Sequence, residues 1–155
     1  MTSLEKYLDS LAEKGLLKRE PGIKVDQIQG LLDGSRRNLR SANKSLEIDE
    51  ELCYEAAYKS MFKLARAMVF LQGYRTDDGG QHKTTINVAE KVLGAAFGTL
   101  IKKFDKMRRI RNAFDYDPGA PLSRIETVNA LKTANEFYDK VIKYLMTKNP
   151  QLKLI

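Results

Sequence analysis

The amino-acid sequence predicts an all-α protein, an up-and-down bundle of five to six helices with no sheet. Apolar residues recur at three- and four-residue spacing along most of the chain, which is the period of an amphipathic helix. No stretch alternates apolar and polar residues with the period of two that is typical of a half-buried strand. At 155 residues, 43% of them hydrophobic, the chain has room for one core, so we expect a single domain over residues 1–155.

The N-terminal segment, residues 1–46, is predicted to contain two helices. The first is a short amphipathic helix within Ser3 to Leu17, with Ser3 as its N-cap and Gly15 as its stop. The second runs from Lys24 to Leu46 and is interrupted near Asp33-Gly34. Its polar face is basic and carries Arg36, Arg37, Arg40 and Lys44. This face is either a strip that contacts phosphates or an ordinary solvated surface.

Residues 47–147 are predicted to hold the remaining helices. Asp49 is a natural N-cap for a helix from Glu50 to Gln72, which is apolar on most sides and should be the central, most buried one. A loop over residues 75–81 separates it from a helix that follows His82 and is capped by Thr84 or Thr85.

Two further helices complete the prediction. One runs from Thr99 to about Phe114, and a turn over Pro118-Gly119-Ala120-Pro121 follows it. The last runs from Arg124 to Met146, where Ser123 and Glu126 form a capping box. We expect the tail, residues 148–155, to be frayed or to take part in an oligomer contact.

Composition removes several classes of function. The formal charge of +7, from 27 basic and 20 acidic residues, favours acidic partners and nucleic acid foremost. The sequence has one cysteine, Cys53, and no leader pattern at its start, so we expect the protein to be in a reducing cytoplasm. It has no apolar run of about 18 residues, so we expect no membrane span. The single histidine and the single cysteine lie in different segments, so they do not have the spacing of a metal site. The sequence also lacks a glycine-rich phosphate loop, so we expect no cofactor.

Polar side chains are concentrated at the end of the helix that begins at Thr99. Residues one or two turns apart bring together Arg108, Arg111, Asn112, Asp115 and Tyr116. The fork of donors on Arg111 matches a phosphate, Asn112 can orient a ribose or a base edge, and Tyr116 can stack on a base. In the alternative interpretation Arg111 and Asp115 pair with each other and Tyr116 packs over the turn.

A family resemblance adds to this interpretation. Three separated elements appear in order: Tyr54-x-x-x-Tyr58-x-x-Met61-Phe62-x-x-Ala65-Arg66-Ala67 with Gly73-Tyr74, then His82, then Met107-Arg108-Arg109-Ile110-Arg111-Asn112-Ala113-Phe114-Asp115-Tyr116-Asp117. Over roughly Glu50 to Tyr144 the chain resembles the HEPN superfamily, and most of all the bacterial and archaeal branch whose helix ends in Arg-x-x-Ala-Asp-Tyr-Asp.

The resemblance implies a five-helix bundle that pairs as a symmetric dimer, with two copies of the polar helix end near the two-fold axis. In active members, an arginine followed a few residues later by a histidine forms a metal-independent ribonuclease site. Many act as toxins beside a minimal nucleotidyltransferase antitoxin, and others bind nucleotides or serve in defence systems. Arg111 matches the family arginine, and Asn112 matches the polar residue that often follows it.

The chain departs from the active members where they have histidine, because it has Asp115-Tyr116 there. A tyrosine with a pKa of about 10 is poorly matched to proton transfer near neutral pH. His82 matches a histidine at the start of the third bundle helix of this branch, and it either reaches the cleft or simply caps its helix or bonds the loop.

Three hypotheses follow. In the first, a HEPN dimer of a toxin–antitoxin or defence pair binds RNA or a nucleotide through Arg108, Arg111, Asn112 and Tyr116, with weak or no nuclease activity. In the second, the protein is a metal-independent ribonuclease that uses Arg111 with His82 or Asp115, with Tyr116 as a further catalytic candidate. In the third, it is a non-catalytic partner of a minimal nucleotidyltransferase, with Tyr116 as the hydroxyl that is modified.

Overall fold

The computed structural model describes residues 1–76, 81–117, 119 and 121–152. Within this part the chain forms, in order, α1 (Ser3–Glu13), β1 (Leu17–Arg19), α2 (Val25–Ser45), α3 (Glu50–Leu71), β2 (Tyr74–Thr76), α4 (His82–Leu93), a short 3-10 helix (Ala95–Phe97), α5 (Gly98–Tyr116) and α6 (Arg124–Lys148). The predicted all-α bundle is confirmed. Parts of the loops predicted over residues 75–81 and 118–121 lie outside the described residues.

Helix α3 is the centre of the bundle and packs against α2, α4, α5 and α6. It begins where the Asp49 carboxylate accepts a hydrogen bond from the backbone N–H of Leu52 at 3.1 Å. The largest side chains of the core include Phe104 and Phe137, which are fully buried with ring centroids 5.4 Å apart. More than half of the residues of α3 are buried, so the prediction of a buried central helix is confirmed. Near the end of α5, Arg111 contacts Glu55 and Tyr58 of α3.

The prediction that the chain contains no sheet is wrong, because β1 and β2 pair in antiparallel fashion. Leu17 lies opposite Thr76, and the strands join α1 to the bundle through a second apolar cluster. Strands of three residues are too short to show an alternating pattern. The predicted stop of the first helix at Gly15 is confirmed, since α1 ends at Glu13, Lys14 is its C-cap, and Gly15 follows with a φ of 76°. Leu17 belongs to β1.

Two helix N-caps and the course of one helix differ from the sequence-based expectation. Thr2, not Ser3, is the N-cap of α1, because its hydroxyl accepts from the N–H of Glu5 at 3.1 Å while the Glu5 carboxylate accepts from the N–H of Thr2. Helix α2 runs without interruption through Asp33-Gly34. Gln81 is the N-cap residue of α4, and its side chain makes no capping hydrogen bond to the described helix.

Thr84 and Thr85, the two predicted caps of α4, lie inside the helix. Their hydroxyls donate back to Gln81, at 3.3 Å to its side chain and 3.1 Å to its carbonyl. The capping box predicted for the last helix is confirmed, because Ser123 and Glu126 exchange hydrogen bonds at 3.1 and 3.2 Å. The capping box therefore fixes where α6 begins.

The C-terminal tail is packed against the bundle as far as it is described. Leu152 is 2% exposed and belongs to the main core, and its N–H donates to the carbonyl of Asn149 at 3.0 Å. Residues 153–155 lie outside the described part. In the described ranges, the longest apolar helical windows fall short of what a membrane crossing requires.

Candidate functional site

An open cavity of about 570 Å³ lies between the start of α4 and the end of α5. Helix α5 contributes Arg108, Arg111, Asn112, Asp115 and Tyr116, and the start of α4 contributes Gln81, His82, Lys83 and Thr84. All six candidate residues of the sequence analysis, including the distant His82, therefore line one space, which we call the α4–α5 pocket.

Arg111 is held from two sides. Its Nε donates to Oε2 of Glu55 on α3 at 3.0 Å, and its Nη2 is 3.6 Å from Oδ2 of Asp115. Its guanidinium also lies over the Tyr58 ring, 5.2 Å from the centroid. The expected contact with Asp115 is present, but the closer partner is Glu55, which sequence spacing did not indicate. Within the described chain neither Nη atom makes a hydrogen bond, so the outer edge of the fork keeps its donors.

Arg108 shares a carboxylate with two other cations. Its Nε donates to Oδ1 of Asp105 at 2.9 Å, Lys83 Nζ is 3.1 Å from the same oxygen, and Arg109 Nε is 3.8 Å from Oδ2. Partial burial raises the pKa of Asp105, but the hydrogen bonds from Arg108 and Lys83 outweigh it and bring that pKa below its ordinary value. Asp105 therefore stays ionised and joins the start of α4 to α5.

His82 is fixed by an aromatic stack. Its Nδ1 is 2.9 Å from the hydroxyl of Tyr58, and its ring lies nearly parallel to Phe62 with centroids 4.1 Å apart. Burial, then the charges of Arg111 and Arg108, lower the pKa of His82, with Asp115 acting in the opposite sense. The imidazole is therefore neutral near pH 7. His82 is not the N-cap of α4, which is Gln81. A bond from His82 to the loop stays a prediction, because residues 77–80 of that loop lie outside the described residues.

The exit from α5 is open to solvent. Tyr116 is 89% exposed, and the side chain of Asp115 is 42% exposed. The alternative in which Tyr116 packs over the turn is wrong. A tyrosine with both ring faces accessible at the edge of a pocket can stack on a planar ligand.

Comparison with known protein families decides the wider assignment. A model of the HEPN domain matches residues 28–145, which is more than half of the chain and includes every residue of the α4–α5 pocket. The chain belongs to the HEPN domain family. The match begins earlier than the resemblance read from the residues, which started near Glu50, so α2 is also part of the HEPN domain. A search of curated proteins found no match.

Several neighbours of the pocket were not named as candidates from the sequence. Lys83 follows His82 at the start of α4, and its contact with Asp105 of α5 depends on the packing of the two helices, which the sequence does not indicate. Tyr58 and Phe62 were present in the family pattern, which was the available signal for the aromatic stack beside His82. Nothing in the spacing of residues indicated Glu55, because it is separated from Arg111 by more than fifty residues.

Proposed function

We propose that this HEPN-family protein binds RNA in the α4–α5 pocket, as one member of a toxin–antitoxin or defence pair. The observation that carries the proposal is the convergence of Arg108, Arg111, Asn112 and His82 on one open cavity. Arginine offers paired donors to phosphate oxygens, and an exposed aromatic ring such as Tyr116 is a stacking platform for an unpaired base. Single-stranded RNA presents both chemical groups together.

The pocket has a small net charge, so it should orient a bound phosphate more than it attracts one from a distance. Four cations, Lys83, Arg108, Arg109 and Arg111, contact three carboxylates, Glu55, Asp105 and Asp115. The net charge is therefore small. The Nε contact with Glu55 and the longer 3.6 Å contact between Nη2 and Asp115 leave hydrogen-bond donors on the Nη groups of Arg111 for a ligand. A guanidinium that is already oriented loses less side-chain entropy when it binds.

A binding titration tests this proposal. Wild-type protein is titrated against fluorescently labelled single-stranded RNA by anisotropy, beside Arg111→Ala, Arg111→Lys and the control Arg109→Ala. We expect Arg111→Ala to abolish binding and Arg111→Lys to weaken it, because lysine lacks the fork, while Arg109→Ala has little effect. Unchanged affinity in a folded Arg111→Ala protein would refute the assignment and favour the non-catalytic interaction protein.

The proposal includes a homodimer, supported by apolar side chains exposed at one end of the bundle. Four large residues there are exposed by more than half: Ile48, Leu52, Tyr116 and Ile125. Arg124 pairs with Glu47 and lies 3.7 Å from Glu50, which brings the start of α6 beside the junction of α2 and α3. Phe114 packs edge-on against Tyr54 with centroids 5.6 Å apart, so the end of α5 belongs to the same region.

Sedimentation velocity tests the dimer. Leu52→Glu with Ile125→Glu should convert a dimer to a monomer, because charges introduced into an apolar contact are costly to bury. Val25→Glu, which changes another exposed apolar side chain away from this region, is the control. A monomeric wild-type protein at micromolar concentration would remove the dimer from the proposal.

A minimal nucleotidyltransferase is the proposed partner, and Tyr116 is its proposed target. The support is the family resemblance together with the 89% exposure of Tyr116, which leaves the hydroxyl accessible to another enzyme. Intact-mass spectrometry after co-expression should show a nucleotidyl adduct that Tyr116→Phe lacks. An unmodified mass would count against this partner. We also propose action in the cytoplasm, in keeping with the free, buried thiol of Cys53.

A second function, metal-independent cleavage of RNA, is favoured by the presence of His82 in the same pocket as Arg111. A neutral imidazole can accept the 2′-hydroxyl proton at Nε2 if Nδ1 carries its own proton and donates to Tyr58. Cleavage in EDTA that His82→Ala abolishes would support this role, and Asp115→Asn tests the other candidate base. Intact RNA after incubation with wild-type protein would exclude it.

A further inference from the structure

A second group of cations lies on α2 and α3, outside the α4–α5 pocket. We define the α2–α3 cationic face as Arg36, Arg37, Arg40, Lys59, Lys63 and Arg66. The three arginines of α2 line a shallow cavity of about 220 Å³ together with Asp33. In the described part of the chain, none of the six cations has a carboxylate oxygen within 4 Å, whereas every arginine of the α4–α5 pocket does.

The two helices bring these charges together through a close crossing at Gly34. A Cβ at this position would lie 3.1 Å from Cδ and 3.2 Å from Nζ of Lys63, so a larger residue than glycine would require the lysine side chain to shift by a few tenths of an ångström. Burial, followed by the charges of Arg37, Lys59 and Arg66, lowers the pKa of Lys63. The side chains of Arg37, Lys59 and Arg66 are therefore close enough to Lys63 to repel its charge.

The α2–α3 cationic face adjoins the α4–α5 pocket. Lys59, Phe62, Lys63 and Arg66 are spaced by three, four and seven residues along α3 and therefore share one stripe of the helix. Phe62 stacks on His82, and His82 lines the pocket. A chain that leaves the pocket past His82 can therefore reach this row of cations on α3.

We propose that the α2–α3 cationic face binds the phosphate backbone of single-stranded RNA on its way to the α4–α5 pocket. Unpaired lysine and arginine side chains neutralise phosphates without breaking existing ion pairs, so the face supplies most of the charge-dependent part of RNA binding. The paired arginines of the pocket contribute mainly geometry. The identity of the ligand as RNA rests on the proposed function, whereas the binding location on α2 and α3 does not.

Salt-dependent binding of the full chain tests the proposal. The affinity for a labelled single-stranded RNA of about twenty nucleotides is measured by anisotropy from low to moderate KCl concentration. The test variant is Arg37→Gln/Lys63→Gln/Arg66→Gln, and the matched control, Lys6→Gln/Lys18→Gln/Lys143→Gln, removes the same charge from exposed positions elsewhere. Because Lys63 and Arg66 are partly buried, Arg36→Gln/Arg37→Gln/Arg40→Gln is a second test variant that changes only exposed side chains.

Each test variant should bind at least tenfold more weakly. It should also reduce the slope of log affinity against log salt by about 2, since each lost single-strand phosphate contact contributes about 0.7. The control should keep the wild-type slope. Wild-type slope and affinity in both folded test variants would overturn the proposal.

Two further outcomes separate this inference from the proposed function. If the face variants bind RNA more weakly and Arg111→Ala binds with wild-type affinity, the face is supported and the pocket is refuted. If Arg111→Ala loses binding and the face variants keep wild-type affinity, only the face is refuted. Polyglutamate and vesicles containing phosphatidylserine are tested at the same salt. Equal or tighter binding of either than of RNA, or no binding of RNA by the wild-type protein, overturns RNA as the ligand of the face.

Discussion

Loss of the Arg111 side chain should destabilise the fold as well as weaken the proposed site. Arg111→Ala removes the donor that lies 3.0 Å from Glu55 and the cation over the Tyr58 ring. The two side chains of the ion pair are each only 21% exposed, so Glu55 would be left partly buried without a partner. The stability of this variant therefore has to be known before any loss of binding is interpreted.

The magnitude follows from the geometry of the pair. Two unit charges about 4 Å apart attract by roughly 4 kcal/mol at an effective dielectric constant near 20. Desolvation of both groups offsets much of this, and about a fifth of each side chain still contacts solvent. We expect a coupling free energy of about 1–2 kcal/mol between Arg111 and Glu55. We also expect a total loss of about 2–3 kcal/mol in Arg111→Ala, once the cation–π contact is included.

A double-mutant cycle measures this coupling. Urea unfolding at pH 7 is followed for the wild type, Arg111→Ala, Glu55→Gln and the double variant. Arg109→Ala is the matched control, because its side chain is 64% exposed and its nearest carboxylate oxygen is 3.8 Å away, and it should change stability by less than about 0.5 kcal/mol. A coupling below about 0.3 kcal/mol would refute the reasoning, and would mean that solvent screens the Arg111–Glu55 pair.

Three other outcomes follow from single groups. Because the pKa of His82 is lowered in the fold, stability should fall as pH decreases through about 6.5 toward the folded-state pKa, with a slope of at most about 1.4 kcal/mol per pH unit. Urea unfolding between pH 8 and 5 should show this loss in the wild type and less of it in His82→Gln; a pH-independent difference would contradict it. Phe104→Ala should lower the free energy of unfolding by about 3–5 kcal/mol, because the ring is fully buried between Tyr58 and Phe137. Ser123→Ala should cost about 1 kcal/mol by removing the cap of α6, which circular dichroism during urea unfolding can measure.

The sequence was sufficient for the bundle because helix signals are local. The period of α3 and the capping box at Ser123 depend on residues within one or two turns, and both are present as predicted. The predicted break at Asp33-Gly34 was wrong for a reason that is not local. Gly34 accommodates the Lys63 side chain of the next helix, and a glycine that permits close approach looks in the sequence like one that ends a helix.

The candidate site was predictable only in part for a similar reason. Arg108, Arg111, Asn112 and Asp115 lie on consecutive turns of one helix, so their spacing alone brings them together. The partner Glu55 depends on the packing of α5 against α3, which no spacing in the sequence encodes.

The proposed site has two distinct parts. Within the described residues, the arginines of the α4–α5 pocket are paired with carboxylates, and the cations of the α2–α3 cationic face are not. The carboxylates around Arg108 and Arg111 fix those side chains and cancel much of their charge, which favours selection by geometry over attraction at a distance. The α2–α3 cationic face has the opposite properties, since its charges act over the Debye length and weaken as salt increases. Changes to the face should therefore weaken binding and lower its salt dependence for all RNA sequences alike, whereas loss of the Arg111 fork should abolish binding in the pocket although the charge of the face is unchanged.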